Sequence, residues 1–360
     1  MQTYIVYGLT FLFVLLLANN AQKSNKTIYV KAIFLILTFI SGFRATSVGI
    51  DTSGYVKIFT LLGNNRFDLV YEEESFKYIS YVLLKISGDS HTFVFTVYAL
   101  ITNALIVCRL WDFKDVASFK WMVATYYISF FFMTLNVMRQ LVAIAILFFA
   151  TRYVERKKYL IFFIFTAIAL LFHTSSIIGV VFVVCDLLQW KYLSKKQKNF
   201  LSVIFLLLPC LVIFIPVLIY EYGKYFTQAT TENVGIMLFV KFAFFVFSSS
   251  LLFKNDHYNK STVVRPNAQR IYKYEVTAVK TYYFIGLAIT LLGYFYMYMD
   301  RVGLLFYLFE CVYFGMIVKN TKEKVLVKTA LFVILAFLFI SSFIGKGQGH
   351  LPYYFIWQQP

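Results

Sequence analysis

The sequence predicts an all-α polytopic integral membrane protein with about twelve transmembrane or re-entrant helices. Three observations predict this class: 60% of the 360 residues are hydrophobic, only 14% are charged, and apolar runs recur along the whole chain. Many runs are long enough, or nearly so, to cross a hydrocarbon core of ~30 Å. Because lipid offers no hydrogen-bond partners, such runs must satisfy their own backbone groups as helices. We expect one transmembrane domain over residues 1–360.

The predicted spans follow one another from the N-terminus. The first run has no basic region before it and no small-residue cleavage site after it, so we expect a retained span rather than a signal peptide. The spans are 4–19, 28–41, 92–108, 119–135, 138–154, 159–172, 175–188, 199–220, 235–253, 281–299, 302–318 and 327–344.

Positive charge orients these spans. Connectors rich in Lys and Arg alternate with connectors poor in them, which places the rich set in the cytoplasm and both termini outside. The net charge of +17 therefore reflects membrane topology. It does not indicate nucleic-acid binding, because the basic residues form no single patch or stripe. The basic connectors are 20–31, 109–120, 152–158, 189–198, 254–280 and 319–328.

Three long apolar stretches are predicted to turn at a polar group. The run Phe119–Val154 has basic residues at both flanks, so a single helix would put basic connectors on opposite sides. A turn near Asn136–Arg139 removes that conflict. The same reasoning folds 159–188 at His173, in halves short enough for a re-entrant pair, and folds 281–318 at Asp300–Arg301.

Two outer segments are predicted. In 42–91, an extracytoplasmic loop, Asp51 can cap a short helix that runs through Leu62. The run Ser75–Ile86 has apolar residues at helical spacing and is expected at the membrane interface. The second segment, 345–360, is a Gly-rich and aromatic extracytoplasmic tail at the interface. Its GxGxG follows a membrane helix rather than a strand, which excludes a dinucleotide-binding reading.

The outer turns carry the candidate site residues. Arg139 lies between two apolar runs with no acidic neighbour in sequence, and charge at such depth is costly and often functional. Arg44 is either an arginine that snorkels to headgroups or a cation for phosphate. Asp51 is either a helix cap or a base for a sugar hydroxyl. His173 is either a satisfied core residue or a proton carrier.

Other polar residues also have two readings. Asp300–Arg301 is a helix-capping ion pair or part of a site. The run 72–74, three glutamates, is a solvated stretch or a set of carboxylates at the catalytic centre. Glu310 is expected to pair inside the bundle, with Lys241 as the candidate partner. The four cysteines show no metal or pairing pattern. Metalloprotease, Walker and nucleophile-elbow motifs are absent, so we expect no metal and no cofactor.

Together these residues resemble the EpsG family of polytopic membrane proteins, which is similar to the Wzy-type polymerases of O-antigen and exopolysaccharide. The matching pieces keep their order over nearly the whole chain. They are Arg44 with Ser47-Val48-Gly49-Ile50-Asp51-Thr52 and Tyr55, Glu74 to Tyr81, Asn136-x-x-Arg139-Gln140-x-x-Ala143, Phe172-His173-Thr174-Ser175, Asp300-Arg301-Val302-Gly303 and Leu351-Pro352-Tyr353-Tyr354.

The resemblance implies a metal-independent glycosyltransferase of a bacterial plasma membrane, with its active site facing the periplasm or the cell exterior. A growing glycan on polyprenyl pyrophosphate would move onto the sugar of a new lipid-linked repeat unit. Implied partners are these lipid-linked oligosaccharides, membrane lipids, a chain-length regulator and a flippase, and no nucleic acid.

Site roles follow from this reaction as hypotheses. Arg139 and Arg301 would bind the donor pyrophosphate, and Arg44 would help them or position the acceptor phosphate. Asp51 is the favoured base and His173 the second candidate. The remaining substrate-binding candidates are Gln140, Tyr55 and Glu74.

Two alternatives stay open. A transporter or flippase of a lipid-linked saccharide or another anionic solute would also use intramembrane Arg and His, although it would distribute charges along a path through the membrane. A glycan ligase or an acyltransferase could share the layout.

Overall fold

The computed structural model describes residues 2–188, 236–255, 266–292, 299–344 and 349–358. These parts are helical, and an isolated bridge joins Arg44 to Phe355. The predicted span 199–220 lies outside the described residues, as does most of the predicted Gly-rich motif. The first helices are α1 (Gln2–Ser24), α2 (Thr27–Gly42), α3 (Thr52–Gly63), α4 (Glu74–Ser87), α5 (His91–Asp112), α6 (Phe119–Ser129), α7 (Met138–Glu155), α8 (Tyr159–Leu170) and α9 (Val180–Leu188).

The later helices form the second part of the bundle. Helix α11 (Pro266–Leu292) packs along α12 (Met299–Tyr307), and Gly286 on α11 and Gly303 on α12 let the two backbones approach. A Cβ added at Gly286 would lie 2.6 Å from the Tyr307 nitrogen. These helices are α10 (Ile236–Asn255), α11 (Pro266–Leu292), α12 (Met299–Tyr307), α13 (Phe309–Asn320) and α14 (Lys324–Ile344).

Four described helical stretches are long and apolar enough to cross a membrane. The outermost ones expose large apolar side chains, as expected of a lipid-facing surface: Leu9 is 61% and Phe337 is 57% exposed. The chain is therefore a multi-helical membrane protein, while the number of twelve spans stays a prediction. The four stretches are Thr3–Ser24, His91–Asp115, Arg301–Asn320 and Lys324–Phe343.

Most described helices begin and end within a few residues of the predicted bounds, and two predictions are wrong. Residues 266–280, predicted as part of a connector, already belong to α11. Their polarity indicated a loop, but a helix can continue past the hydrocarbon core with polar side chains in the headgroup region. Asp300 and Arg301 lie in the first turn of α12 rather than at the tip of a turn.

Connectors that the sequence assigned to the cytoplasm meet at one end of the bundle. The Nζ of Lys114 lies 2.8 Å from the Asn25 side-chain oxygen, and the Nζ of Lys319 donates to the carbonyl of Lys114 at 2.8 Å. The guanidinium of Arg152 pairs with Asp112 at 2.7 Å. We call this the basic end. Four connectors distant in sequence thus share one face, as their charge pattern predicted.

The interior of the bundle holds the predicted ion pair. The Nζ of Lys241 lies 2.9 Å from Glu310, and these side chains are 5% and 0% exposed. Ser129 and Tyr283 donate hydroxyl hydrogen bonds to the same carboxylate at 3.0 and 3.3 Å. The prediction that Lys241 partners Glu310 is confirmed. Each charge has the partner that burial in a low-dielectric interior demands.

Candidate functional site

Arg139 is the centre of a charged cluster at the end opposite the basic end. It lies in the first turn of α7 and is held by two carboxylates. Its Nη2 lies 2.5 Å from Oε2 of Glu72, and its Nη1 contacts Oε2 of Glu73. The guanidinium also lies over the ring of Phe76, 5.3 Å from the centroid. Its side chain remains 21% exposed, so the cluster is open to a ligand. We call this end of the bundle the site end.

The acidic segment before α4 is fixed by two anchors. The Nζ of Lys77 donates to the carbonyl of Val70 at 3.1 Å and pairs with Glu74. The hydroxyl of Ser75 donates to the carbonyl of Leu171 at 2.6 Å. Glu74 is thus turned towards Lys77, with its side chain 72% exposed. The two preceding glutamates face Arg139 instead and are not a solvated run.

His173 is the cap residue before the 3₁₀ turn Thr174–Gly179. Its Nδ1 lies 3.7 Å from Oε1 of Glu73 and accepts a long hydrogen bond, 3.4 Å, from the Ser175 N–H. Burial lowers the pKa of His173; Glu73 opposes that shift, and Arg139 and Arg301 add to it. The imidazole is therefore neutral at pH 7 and chemically able to take a proton.

Gln140 and Tyr55 hold the backbone around the two arginines. The Gln140 side-chain amide donates to the carbonyl of Arg301 at 2.7 Å, which ties α7 to the first turn of α12. The hydroxyl of Tyr55 accepts from the Arg139 N–H at 3.5 Å. That N–H belongs to the first turn of a helix, where no intrahelical acceptor exists. The structure thus brings α3, α7 and α12 together at the site end.

Arg44 lies inside the protein rather than at its surface. It is 2% exposed, its Nε donates to the Thr52 hydroxyl at 3.2 Å, and its Nη1 donates to the carbonyl of Ser41. The guanidinium stacks 4.4 Å from the centroid of Phe95. Burial lowers the pKa of Arg44 to about 10, which leaves it cationic at neutral pH. The snorkelling reading is wrong, because Arg44 fastens the end of α2 to the start of α3.

Asp51 occupies the predicted position before α3, and the helix has the predicted extent to within a residue. Its side chain makes no capping hydrogen bond, however, so the predicted capping interaction is wrong. The residue takes a helical backbone conformation, φ −84° and ψ −9°. Side-chain caps normally require the extended region, which explains why the bond is missing.

Gly49 fixes the loop between Arg44 and Asp51. Its φ of +94° is a conformation that L side chains rarely adopt, and a Cβ there would collide with the carbonyl of Leu135. Its N–H donates to the carbonyl of Gly349 at 2.7 Å. Glycine is therefore required where the loop is pressed between two other segments.

The described part of the C-terminal tail, residues 349–358, packs against the Arg44 loop and α2, and we call it the strap. Tyr353 is 0% exposed and its hydroxyl donates to the carbonyl of Ile40 at 2.8 Å. The carbonyl of Tyr354 accepts from the Ala45 N–H at 2.8 Å. The interfacial prediction is wrong for Tyr353, which is buried inside the protein, whereas the side chain of Trp357 is 61% exposed. The strap thus holds the Arg44 loop in place through backbone hydrogen bonds.

The site end therefore combines groups of the kind that bind anions with a group of the kind that accepts protons. Two arginines supply positive charge, a neutral histidine supplies a proton acceptor, and Glu73 lies between Arg139 and His173. Within the described residues, no group of three or more His, Cys, Asp or Glu could hold a metal ion. Sequence reasoning missed Glu72 and Glu73 as partners of Arg139. The sequence did contain a signal for this pairing. Three consecutive glutamates, 72–74, and Arg139, which has no acidic neighbour in sequence, were both predicted on the outer side.

Comparison with family models matches residues 27–355 to the EpsG family. The matched range includes every residue of the charged cluster and the strap up to Phe355. No curated protein and no solved structure gives a match to this chain.

Proposed function

Because this chain belongs to the EpsG family, we propose that it polymerises lipid-linked glycan repeat units at the outer face of a bacterial plasma membrane. The donor is a growing glycan on polyprenyl pyrophosphate. The acceptor is a sugar hydroxyl of a new lipid-linked repeat unit. EpsG proteins are Wzy-like polymerases, and the charges of the site end suit a substrate with a pyrophosphate leaving group.

The reaction is a substitution at the anomeric carbon of the donor. The acceptor oxygen forms a bond to that carbon while the bond from the carbon to the pyrophosphate oxygen breaks. The electron pair of the broken bond leaves with polyprenyl pyrophosphate. The hydroxyl proton passes to a base and then to solvent. The protein must therefore neutralise a leaving anion and accept one proton.

One observation carries the proposal: Arg139, Arg301 and His173 come from three separate elements and converge at the site end. Arginine forms charge-assisted, bidentate hydrogen bonds to phosphate oxygens. Because Arg139 is partly exposed, a phosphate group can reach its guanidinium and replace a glutamate there. We assign the donor pyrophosphate to Arg139 and Arg301. This arrangement neutralises the leaving group with arginines, and metal independence is part of the proposal.

The geometry favours His173 over Asp51 as the base, which reverses the order expected from sequence. His173 is neutral and lies against the carboxylate that also pairs with Arg139. Asp51 lies at the start of α3 with a half-buried side chain, and we assign it to orienting the acceptor sugar. Positioning alone contributes strongly to transfer between two bound substrates.

The other candidate residues take supporting roles. Arg44 is 2% exposed, so we assign it to holding the loop that ends at Asp51 rather than to phosphate contact. Tyr55 and Gln140 fix the backbones of Arg139 and Arg301. Glu74 remains a candidate for contact with acceptor hydroxyls, since its side chain is exposed beside the cluster. A chain-length regulator and a flippase are the expected protein partners.

The test compares surface glycan from cells that lack this chain and carry wild type, Arg139→Lys or Arg66→Lys at matched membrane abundance. Arg66 is a matched control because it pairs with Asp68 on the exposed surface, with side chains 55% and 65% exposed. We expect a ladder with wild type and Arg66→Lys, and single repeat units with Arg139→Lys. A full ladder with Arg139→Lys would remove Arg139 from the site, and a full ladder in the deletion would discard the polymerase function.

Transport of a lipid-linked saccharide is the second candidate, because the pair of Lys241 and Glu310 lies inside the bundle. Lys241 and Glu310 neutralise each other, however, and the remaining candidate residues gather at the site end. This distribution favours an enzyme active site over a transport pathway through the membrane. Movement of labelled lipid-linked repeat units across vesicles, without new glycosidic bonds, would place transport first.

A further inference from the structure

Glu73 contacts two candidate catalytic groups with its two oxygens. Oε2 pairs with Nη1 of Arg139, and Oε1 lies 3.7 Å from Nδ1 of His173. The neighbouring Glu72 also pairs with Arg139, through its Oε2 at 2.5 Å. The two glutamates therefore differ in one respect: Glu73 is the carboxylate that acts electrostatically on the imidazole.

The acidic pair occupies the face of Arg139 that a phosphate would use. A carboxylate and a phosphate both offer paired oxygens to a guanidinium, so a donor pyrophosphate would exchange with the glutamates at Arg139. The exchange leaves the glutamate segment in place, because Ser75 and Lys77 anchor it independently of Arg139. Glu73 would then stay beside His173 without its arginine partner.

We propose that Glu73 is a positioning residue that couples donor binding to activation of His173. When the pyrophosphate takes Arg139, the carboxylate of Glu73 closes on Nδ1 of His173, and Nε2 accepts the proton of the acceptor hydroxyl. This coupling rests on the polymerase function proposed above. In that reaction, Glu73 is the group that makes His173 able to accept the proton.

Tautomer chemistry explains why the coupling matters. The N–H of Ser175 points at Nδ1 of His173 from 3.4 Å, which favours the tautomer with its proton on Nε2. That tautomer cannot take a proton at Nε2. A carboxylate that approaches Nδ1 by about 1 Å reaches hydrogen-bond distance and favours the other neutral tautomer, which forms when Nδ1 takes a proton from solvent and Nε2 releases its own proton to solvent. Nε2 can then accept the acceptor proton, and Glu73 stabilises the imidazolium.

Charged groups from three elements act on the pKa of His173: Glu73 before α4, Arg139 on α7 and Arg301 on α12. Glu73 raises the pKa of His173, and both arginines lower it. A base is active when neutral, so the rate falls as pH drops below this pKa. Removing the Glu73 charge lowers the pKa further and moves the acidic limb of the pH–rate profile to lower pH.

The experiment measures chain extension by the full-length protein in liposomes that contain a defined lipid-linked repeat unit. Rates are recorded against pH and donor concentration for wild type, Glu73→Gln, Glu72→Gln and Glu73→Asp. For Glu73→Gln we expect kcat to fall about 10²-fold, with the acidic limb at lower pH. Glu72→Gln removes the same kind of charge from Arg139, and we expect it to change the donor KM while the limb stays in place. Glu73→Asp should recover part of kcat and the limb position.

Equal kcat values and equal acidic limbs for Glu73→Gln and Glu72→Gln would overturn the proposal, because the two glutamates would then act through Arg139 alone. Failure of the polymerase function is distinguishable, since wild type itself would form no product longer than one repeat unit. Thermal unfolding of each variant in detergent shows that a lost rate does not come from lost fold.

Discussion

Arg109 and Arg139 lie at opposite ends of the bundle, and each pairs with two carboxylates. Arg109 is enclosed: its side chain is 2% exposed, and its partners Asp112 and Glu155 lie at the ends of α5 and α7. Arg139 is 21% exposed, and its partners lie in the irregular segment before α4. The same pairing chemistry therefore holds an enclosed arginine at one end and an accessible arginine at the other, although the carboxylate partners are similarly exposed at both ends.

The surroundings of each arginine indicate what it can do. Arg109 adds a hydrogen bond to the Thr151 hydroxyl at 3.1 Å and lies over the ring of Phe113 at 4.1 Å, so its donors are committed to neighbouring helices. Arg139 has a neutral histidine beside its carboxylate partner and a second arginine close by. An ion pair within fixed helices stabilises the fold, whereas a partly exposed one can exchange its anion.

The largest effect is expected from Arg139→Lys. Lysine keeps the charge but loses the planar fork that binds two oxygens at once. We expect chain extension to fall by about 10³-fold, the upper range for loss of one preorganised donor group, with unchanged thermal unfolding. Extension assays on purified protein measure the rate. Near-normal extension would show that Arg139 is no more functional than Arg109.

The reverse pattern is expected of Arg109→Ala. It leaves Glu155 without its enclosed partner, while Asp112 keeps Arg152. Because both carboxylates are partly exposed, we expect a cost of about 2–3 kcal/mol, below the range for a fully buried pair. We expect much less folded protein in membranes and a lower unfolding temperature, with normal activity per folded molecule. Unfolding that matches wild type, together with a lost rate, would move the functional cluster to the basic end.

A third comparison uses the pair inside the bundle. Lys241→Met leaves the fully buried Glu310 without its cation and should destabilise the protein by about 3 kcal/mol. The double variant Lys241→Met with Glu310→Leu should recover most of that loss, because apolar side chains can replace a buried pair. Thermal unfolding of the single and double variants measures the coupling. A double variant that unfolds normally but makes no polymer would assign this pair a role in function.

The smallest effect is expected from Asp51→Asn. The Asp51 side chain makes no capping hydrogen bond, so the stability change should stay within about 0.5 kcal/mol. Asparagine keeps a side-chain oxygen and adds an amide donor, so it can still orient the acceptor sugar. Glycan ladders should therefore remain near wild-type length if His173 is the base. A loss of ladder as complete as that of His173→Ala would return Asp51 to the role of base.

Local patterns in the sequence predicted much of this molecule. Apolar runs and alternating connector charges predicted most helix bounds and the grouping of connectors at the basic end. The short helix after Asp51 and the partnership of Lys241 with Glu310 also followed from pattern and charge. These features depend on neighbours along one helix or on the high cost of a buried, unpaired charge.

Contacts of the acidic segment and the C-terminal tail with distant helices were beyond that reasoning. The Arg139 pair with Glu73 spans 66 residues, and the bond from Tyr353 to Ile40 spans 313. Neither has a periodic signature, because each depends on how separate helices pack. The acidic segment and the aromatic tail were polar or aromatic in composition, which suits solvent or an interface as well as it suits a packed site.

The most direct test of the polymerase site is a single-turnover extension assay. Purified protein in liposomes is mixed with one lipid-linked repeat unit, and products are resolved by mass. We predict a lipid carrying two joined repeat units and one released polyprenyl pyrophosphate per bond formed, for wild type and Arg66→Lys but not for Arg139→Lys. Product from Arg139→Lys at the wild-type rate, or no joined product from folded wild-type protein, would contradict this account.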